Sequence, residues 1–209
     1  PKLLIGYSDT TALHLAIAAR AGFPTLHAPN AASRWEAASW ESLWHIAFAG
    51  ATPVLGGEDV KRASGRVARI LVPGSTRGRL LGGNLTILST LMGTGWLPAF
   101  DGAILFLEDI GEEPYRVDRM LQHLKLAGVF DRVGGVVFGQ CTRCTSPDPD
   151  YAGFLLDDVI DRHLGGLDKP VIAGFNTGHV TNQLTLPVNV PVELDTASRT
   201  LRMLEPAVG

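Results

Sequence analysis

A serine near the start of the chain, Ser8, occupies a position suited to nucleophilic chemistry. The apolar run before it ends at Gly6, and the periodic, Ala/Leu-rich segment 11–19 follows it, so the sequence predicts a strand, a sharp turn and a helix. A serine at that turn is exposed at the carboxyl end of a strand. It lies beside the unpaired N–H groups of a helix start, which can stabilise an oxyanion. This arrangement is typical of a nucleophile elbow.

The same residues also fit an ordinary helix start. Ser and Asp are common helix N-caps, and both precede the apolar segment here. The motif G-x-S-x-G is only half matched, because Gly6 stands before Ser8 but Thr10 stands where the second glycine belongs. The pentapeptide alone leaves both interpretations open.

Four longer blocks resemble, in order, the LD-carboxypeptidase family of serine peptidases, which includes the microcin C self-immunity peptidases. The blocks extend over nearly the whole chain and read IGYSDTTALH, GGNLTILSTLMGT, ILFLEDIGEEPYRVDRMLQHL and GHVTNQLTLP. The resemblance implies a serine carboxypeptidase that releases the terminal D-alanine from L,D-linked muropeptides in cell-wall recycling. It also implies Ser8 as nucleophile, Glu108 as the acid of a catalytic triad and His179 as its base.

Glu108 directly follows the apolar segment 103–107, which the sequence predicts as a buried strand. Folds of the α/β class place their chemistry at strand ends, and the acid of a triad needs rigid support. Asp109, Glu112 and Glu113 lie in the same stretch, where acids before a helix also stabilise its dipole. We expect Glu112 and Glu113 to have that role and Glu108 to be the acid of the triad.

His179 follows Gly178 in a predicted loop, so its ring can face a cleft without helical neighbours. With Glu108 accepting from one ring nitrogen, the other can take the proton of Ser8. The backbone N–H of Asp9 is the oxyanion donor that this chain supplies, and the resemblance implies a second donor from a turn upstream of the chain. Four other histidines are predicted on helices as surface or core residues: His14, His45, His123 and His163.

Three positions depart from the pattern of the family. Ala28 follows His27 where His-Gly-Pro is usual, so the role of that turn stays open, although His27 could line the pocket. Asn176 and Asn189 replace a more usual proline and glycine. These two changes affect the frame of the site and leave the histidine base in place.

Composition and charge argue against nucleic-acid and membrane partners. The 209 residues carry a net charge of −3, and no Lys/Arg run or bilayer-length apolar stretch occurs in the sequence. We expect a small, muropeptide-like peptide as substrate. The resemblance adds a second copy of the chain as partner in a homodimer.

The two cysteines, Cys141 and Cys144, form C-T-R-C in a polar stretch. A structural zinc needs four ligands, and a redox pair normally opens a helix of a thioredoxin-like unit; the sequence supplies neither. We therefore expect no metal and no cofactor. Two cysteines without a disulfide framework favour a reducing compartment, and we expect a cytoplasmic protein.

Apolar strands alternating with helices predict an α/β fold. It comprises part of a Rossmann-like nucleophile domain, then a mixed β/α domain that ends in an antiparallel hairpin. We place the rest of the N-terminal domain at residues 1–55, a linker at 56–78 and the C-terminal domain, with the acid and base, at 79–209. Before the linker, the apolar face of a helix over 36–49 is expected in the core; it comprises Trp40, Leu43, Trp44 and Ala47.

The chain as given is expected to be a poor catalyst by itself. Only one predicted strand, Thr25–His27, can flank the strand before Ser8 ahead of the linker, and a doubly wound layer needs more. The resemblance implies preceding βα units that supply those strands and the second oxyanion donor. We therefore expect this sequence to be the C-terminal portion of a longer protein.

Two other functions remain open. A microcin-immunity-like amidase would cleave aminoacyl nucleotide analogues, and activity on the two substrate types separates it from a muropeptidase. A non-catalytic domain of the same fold would act by association. Labelling of Ser8 by a fluorophosphonate probe distinguishes that domain from an enzyme.

Overall fold

A computed structural model describes residues 2–57 and 68–209. Its helices are α1 (Thr11–Arg20), α2 (Ala37–Ala47), α3 (Leu85–Leu91), α4 (Pro114–Leu126), α5 (Val129–Arg132) and α6 (Leu156–Leu164). Its strands are β1 (Ile5–Gly6), β2 (Thr25–His27), β3 (Val54–Gly56), β4 (Arg69–Val72), β5 (Ser75–Asn84), β6 (Ile104–Ile110), β7 (Gly135–Thr142), β8 (Val171–Ala173), β9 (Leu186–Val188), β10 (Pro191–Asp195) and β11 (Thr200–Met203). The α/β class predicted from the sequence is confirmed.

A large mixed sheet has the strand order β3-β11-β10-β5-β6-β7-β8-β4. Strands β5 to β8 are parallel, and the outer strands pair antiparallel. Strand β6 is buried at all but its last residue, because helices on parallel strands cover both faces and favour continuous apolar runs. Helix α4 contacts both α3 and α6. The carboxyl ends of β5, β6 and β7 therefore share one edge of a rigid layer.

A small sheet, of order β1-β2-β9, carries the strand before Ser8. Strand β1 is parallel to β2, and β9 is antiparallel to β2 on its other side. Within residues 2–57 and 68–209, β2 is the one strand that pairs with β1, so β1 lies at an edge. Because β9 follows the His179 loop, this sheet joins the start of the chain to its later part.

Several predicted elements have the expected position. The sequence predicts a helix over Pro114–Leu126, and α4 has these bounds. Strand β2 also has its predicted bounds, and β10 and β11 form the predicted terminal hairpin.

The sequence predicts a helix over residues 151–163, but helix α6 begins at Leu156. The Asp158 carboxylate accepts from the backbone N–H of Leu155 at 2.9 Å and sets the helix start there. The sequence predicts a strand over residues 79–81 and a turn at Gly82 and Gly83. Strand β5 is longer, because it continues through both glycines to Asn84.

The stretch predicted as a linker contains sheet strands. Strand β3 pairs with β11, and β4 pairs antiparallel with β8; residues 58–67 lie outside the described part. The sequence predicts a strand over residues 67–72 in this stretch, and β4 is found at Arg69–Val72; Val67 lies outside the described residues. Strands β3 and β4 form the two edges of the large sheet, and this pairing could not be predicted from the local pattern. The division into domains at residues 55 and 79 stays a prediction.

Helix α2 turns a different face to the core from the one predicted. Leu43 and Ile46 are buried, whereas Trp40 and Trp44, both expected in the core, are 47% and 49% exposed. Their rings contact each other at a centroid distance of 6.1 Å. Successive residues of a helix are rotated by about 100°, so the face with Leu43 and Ile46 and the face with Trp40 and Trp44 partly overlap. Both faces are apolar, and hydrophobicity alone therefore does not predict which of them is buried.

Candidate active site

Ser8 occupies a strained elbow between β1 and α1. Its φ of 60° lies in the left-handed region, which a residue with a side chain seldom adopts. Residues Ser8–Thr10 form a single 3-10 turn before α1. A Cβ atom on Gly6 would lie 2.7 Å from the Thr10 hydroxyl oxygen, so glycine is needed before the turn. The half-buried Ser8 side chain is therefore presented at the strand end, as predicted for an elbow.

The acid, Glu108, lies inside β6 and not after it, because the strand continues to Ile110. It pairs with Asn84 on β5, while on the β7 side the register shifts between Leu107 and Asp109. Such a bulge redirects a side chain at a strand end. The whole of Glu108 is buried.

Glu108 and His179 form a direct hydrogen bond. The Nδ1 atom of His179 lies 2.9 Å from Oε2 of Glu108. Burial by itself would raise the pKa of Glu108, but the hydrogen bond from His179 and the nearby His27 lower it to about 2. The carboxylate is therefore ionised at neutral pH and accepts from Nδ1–H. The Nε2 atom of His179 is left as the acceptor on the partly exposed side of the ring.

The loop before His179 is shaped by a close approach to the acid. Gly178 has φ of +104°, and a Cβ atom there would lie 2.7 Å from Oε2 of Glu108. The Thr142 hydroxyl, at the end of β7, donates to the carbonyl of His179 at 2.8 Å. These two contacts hold the imidazole against the carboxylate.

Ser8 lies beside this pair without a hydrogen bond to it. The ring of Tyr7 contacts the ring of His179 at 4.7 Å. The Thr11 hydroxyl accepts from the backbone N–H of Asn84 at 2.9 Å, and Asn84 is the strand neighbour of Glu108. In the described part of the chain, two of the three predicted residues are thus joined, and Ser8 is adjacent to them through its neighbours in sequence.

Asp9 follows Ser8 in the 3-10 turn. The N–H groups in the first turn of a helix have no acceptor within that helix. The backbone N–H of Asp9 therefore has the character that an oxyanion donor requires.

The other acids of the strand end have structural roles. The buried Asp109 accepts from the Asn84 side chain at 2.9 Å and from the backbone N–H of Thr86 at 2.9 Å, so it supports the start of α3. Glu112 lies 3.9 Å from Arg116. Glu113 is the N-cap residue of α4 but makes no side-chain hydrogen bond there. Their position at the start of α4 agrees with the predicted dipole role, while that of Asp109 was missed.

Two further histidines are buried near Glu108. His27 is fully buried, with Nε2 3.8 Å from Oε1 of Glu108. His14, also buried, contacts the Thr25 hydroxyl at 2.8 Å and the Gly6 carbonyl at 2.9 Å. Burial lowers the pKa of His14 to about 4, so this ring is neutral at pH 7. The sequence indicated that His27 stands before a turn and could line the pocket, but it did not indicate the contact with Glu108.

A cleft of about 870 Å³ opens beside His179. Its wall includes Gln140, Tyr151 and Asn176 and the cysteines. Cys141 and Cys144 form a disulfide, which removes the argument from unpaired cysteines for a reducing compartment. Their Cα atoms are 5.4 Å apart across the turn after β7, a separation that a disulfide spans. Among the described residues, no three His, Cys, Asp or Glu side chains are grouped as metal ligands.

Two family models match the chain. The LD-carboxypeptidase C-terminal domain matches residues 77–194, and the LD-carboxypeptidase N-terminal domain matches residues 1–28. The chain belongs to the LD-carboxypeptidase family. Ser8 falls in the N-terminal match, and Glu108 and His179 fall in the C-terminal one. No helix of the described residues has the length and apolar character to cross a membrane.

Relatives of this member of the LD-carboxypeptidase family include a murein tetrapeptide carboxypeptidase and a microcin C7 self-immunity protein. An inferred carboxypeptidase of Streptomyces coelicolor is 41% identical over 100% of this chain and 64% of its own length. The structure of muramoyltetrapeptide carboxypeptidase from Oxalobacter formigenes matches with a TM-score of 0.79 and 28% identity, over 97% of this chain and 68% of that one. The structure of MccF in complex with glutamyl sulfamoyl guanosine matches with a TM-score of 0.82 and 26% identity, over 100% and 69%.

Proposed function

We propose that the protein is a serine-type LD-carboxypeptidase in which Ser8 is the nucleophile, His179 the base and Glu108 the acid. The observation that carries the proposal is the 2.9 Å hydrogen bond between the buried Glu108 carboxylate and His179, beside a serine in a strained elbow. A nucleophile needs a base within reach and a third group that orients the base. The chain spans 64% of the length of its Streptomyces relative, so the activity is proposed for the whole protein.

In the first step, Nε2 of His179 takes the proton of Ser8 as its hydroxyl oxygen attacks the carbonyl carbon of the scissile amide. The ionised Glu108 keeps the proton of His179 on Nδ1 and stabilises the imidazolium that forms. The backbone N–H of Asp9 donates to the oxyanion of the tetrahedral intermediate.

In the second step, the intermediate collapses and the C–N bond breaks. His179 returns the proton to the departing amine, which leaves as the terminal amino acid, and an acyl ester stays on Ser8. Water then attacks the ester, with His179 again as base, and releases the shortened peptide.

The proposed substrate is a murein peptide with a terminal D-alanine. The name of the Oxalobacter relative, a muramoyltetrapeptide carboxypeptidase, supports this choice. The competing substrate is an aminoacyl nucleotide analogue of the kind bound to MccF. We also propose that the protein acts in the cytoplasm. We propose a homodimer as its active form, and light scattering of the purified protein tests this oligomeric state.

The test compares the wild-type full-length protein with Ser8→Ala and, as a control, the exposed-hairpin variant Ser198→Ala. A fluorophosphonate probe should label wild type and Ser198→Ala but not Ser8→Ala. Release of D-alanine from murein tetrapeptide should fall by about 10⁴ to 10⁶ in Ser8→Ala. If Ser8→Ala keeps more than a tenth of the wild-type activity, Ser8 is not the nucleophile. If the wild type cleaves an aminoacyl sulfamoyl nucleotide but not the murein tetrapeptide, the proposed substrate is wrong and the nucleotide analogue takes its place.

A further inference from the structure

The buried carboxylate of Glu108 uses only one of its oxygens for His179. Its Oε1 atom has no hydrogen-bond partner among the described residues, and the same is true of Nε2 of His27. These two atoms face each other at 3.8 Å. A buried polar group without a hydrogen-bond partner destabilises the fold, so a hydrogen bond between these two atoms would satisfy both of them.

The protonation of the His27 ring follows from its other neighbour. The amide nitrogen Nε2 of Gln183 lies 3.4 Å from Nδ1 of His27. An amide NH₂ group only donates, so Nδ1 of His27 is the acceptor. A neutral imidazole with an acceptor at Nδ1 carries its proton on Nε2. That N–H is directed at Oε1 of Glu108.

We propose that His27 is a positioning residue of the catalytic site, which donates its Nε2–H to Oε1 of Glu108 and so keeps Oε2 directed at His179. The proposal rests on the proposed function, since it assigns His27 a task within the same triad. The closure needed is under about 1 Å, from 3.8 Å to the ordinary N–H···O distance of about 2.9 Å. Catalytic hydrogen bonds are often long without substrate and shorten in the bound complex.

His27 is well placed for this task because it is held on a strand. Its backbone pairs with Gly6, two residues before Ser8, and with Leu186 of β9. Its ring packs edge-on against Phe106 at a centroid distance of 5.1 Å. His27 is thus held by backbone pairing beside β1, the strand that leads to Ser8. A hydrogen bond from its ring to Glu108 would therefore fix the position of this carboxylate relative to the Ser8 turn.

The titratable groups around His27 leave Glu108 as its charged neighbour at neutral pH. His14 of α1 lies 6.3 Å away and is neutral above about pH 4. Tyr7 lies at 6.3 Å, and His179 reaches His27 only through Glu108. Without the His27 donor, the carboxylate charge is less stabilised and attracts the protonated His179 more strongly. The protonated, inactive form of the base is then favoured, and the acid limb of the rate profile moves to higher pH.

The experiment compares His27→Leu, which removes the donor, with His27→Gln, whose amide nitrogen can occupy the place of Nε2. In the full-length protein, we expect His27→Leu to lower kcat by about 10 to 100-fold, by analogy with the loss of a partner that orients a metal-binding side chain. KM should stay within about threefold, and the acid limb of kcat/KM should shift to higher pH. His27→Gln should recover most of kcat, and the distant His45→Gln should match wild type.

Equal losses in His27→Leu and His27→Gln, or an unmoved acid limb in His27→Leu, overturn the proposal. A second measurement uses the wild-type protein alone, so it depends neither on enzymatic activity nor on correct folding of the variants. Nitrogen-15 NMR of the wild-type His27 ring should report a proton on Nε2, and a proton on Nδ1 overturns the proposal. Fluorophosphonate labelling of Ser8 is scored separately, so failure of the triad is distinguishable from failure of the His27 hydrogen bond.

Discussion

The negative charge of Glu108 is the residue-level feature on which the proposed chemistry depends. A fully buried carboxylate normally becomes harder to ionise, yet the two imidazoles around Glu108 lower its pKa to about 2. The charge is thus kept in a site of low dielectric constant, where it acts strongly on the single imidazole that reaches the cleft. A neutral amide of the same shape would fill the space and lose this effect.

Glu108→Gln should therefore reduce kcat by about 10⁴, the loss seen when the acid of a triad becomes an amide and its histidine takes the wrong tautomer. Glu112→Gln, which alters a partly exposed acid 3.9 Å from Arg116, is the matched control and should change kcat by less than about threefold. Steady-state kinetics of both variants gives the comparison. Similar, mild losses in the two would mean that Glu108 has only a structural role.

His14 makes the stability of the fold depend on pH. Its pKa is 6.5 in an unfolded chain and about 4 in the fold, so the unfolded state binds more protons between these values. The stabilisation is complete above pH 6.5 and is lost as the pH falls toward 4. Between pH 7 and pH 5, the free energy of unfolding should fall by about 2 kcal/mol from this group. The pKa of Glu108 is 4.5 in the unfolded chain and about 2 in the fold, so this group changes the free energy of unfolding mainly below about pH 5.

Urea unfolding at pH 7 and pH 5 measures this fall. His14→Gln should show a pH dependence that is smaller by about 2 kcal/mol, whereas His45→Gln, with a half-exposed ring, should keep the dependence of the wild type. An unchanged pH dependence in His14→Gln would assign the effect to other groups.

At the scale of elements, the sequence correctly predicted those helices and strands that are marked by an apolar run or by a proline. Pro114 sets the start of α4 because its ring suits the first helical turn. Strand β6 was recognised by its apolar run, but its end was placed too early, since Glu108 and Asp109 are polar residues that continue the strand. Glu108 was predicted as the acid of the triad because it adjoins that run. For His27 the sequence predicted only that it could line the pocket, because its contact with Glu108 joins residues 81 positions apart in the sequence.

The turn before His179, the proposed base, depends on Gly178. Gly178→Ala should displace Glu108 or the loop, because the new Cβ atom would lie 2.7 Å from Oε2 with φ at +104°. We expect kcat to fall by about 10² or more, as for an ångström-scale misplacement of a catalytic group. The free energy of unfolding should fall by about 1 to 3 kcal/mol from the strained backbone.

Gly166→Ala is the control for that change, since a Cβ atom at Gly166 has no heavy atom within 4 Å. Its kinetics and urea unfolding should match wild type. Full activity in Gly178→Ala would show that the loop can move away without separating His179 from Glu108.

For the whole molecule, the main question is how the part with Ser8 is held to the part with Glu108 and His179. The matches to the two family domains place these residues in separate segments, 1–28 and 77–194. Strand β9, from the later segment, pairs with β2 of the earlier one. Pairing between distant segments is the least visible feature in a sequence, because it depends on topology and not on a local pattern. The sequence therefore predicted a boundary between two domains but not the small sheet that contains strands from both segments.

Leu26 tests this joint. It is fully buried in β2, pairs with Ile5 and Pro187, and points to the opposite side of the strand from His27. Leu26→Ala should lower the free energy of unfolding by about 2 to 5 kcal/mol, the usual cost of a buried cavity. Its kcat per folded molecule should stay within about threefold of wild type, since the catalytic face of β2 is unchanged.

Leu126→Ala, at a leucine that is 78% exposed at the end of α4, should leave stability within about 0.5 kcal/mol of wild type. Urea unfolding of Leu26→Ala followed by tryptophan fluorescence and by circular dichroism should give one coincident transition, because the β2–β9 pairing couples the two segments. Separate transitions would mean that the segment with Ser8 unfolds independently. In that case, the elbow and the Glu108–His179 pair would be brought together by something other than this sheet.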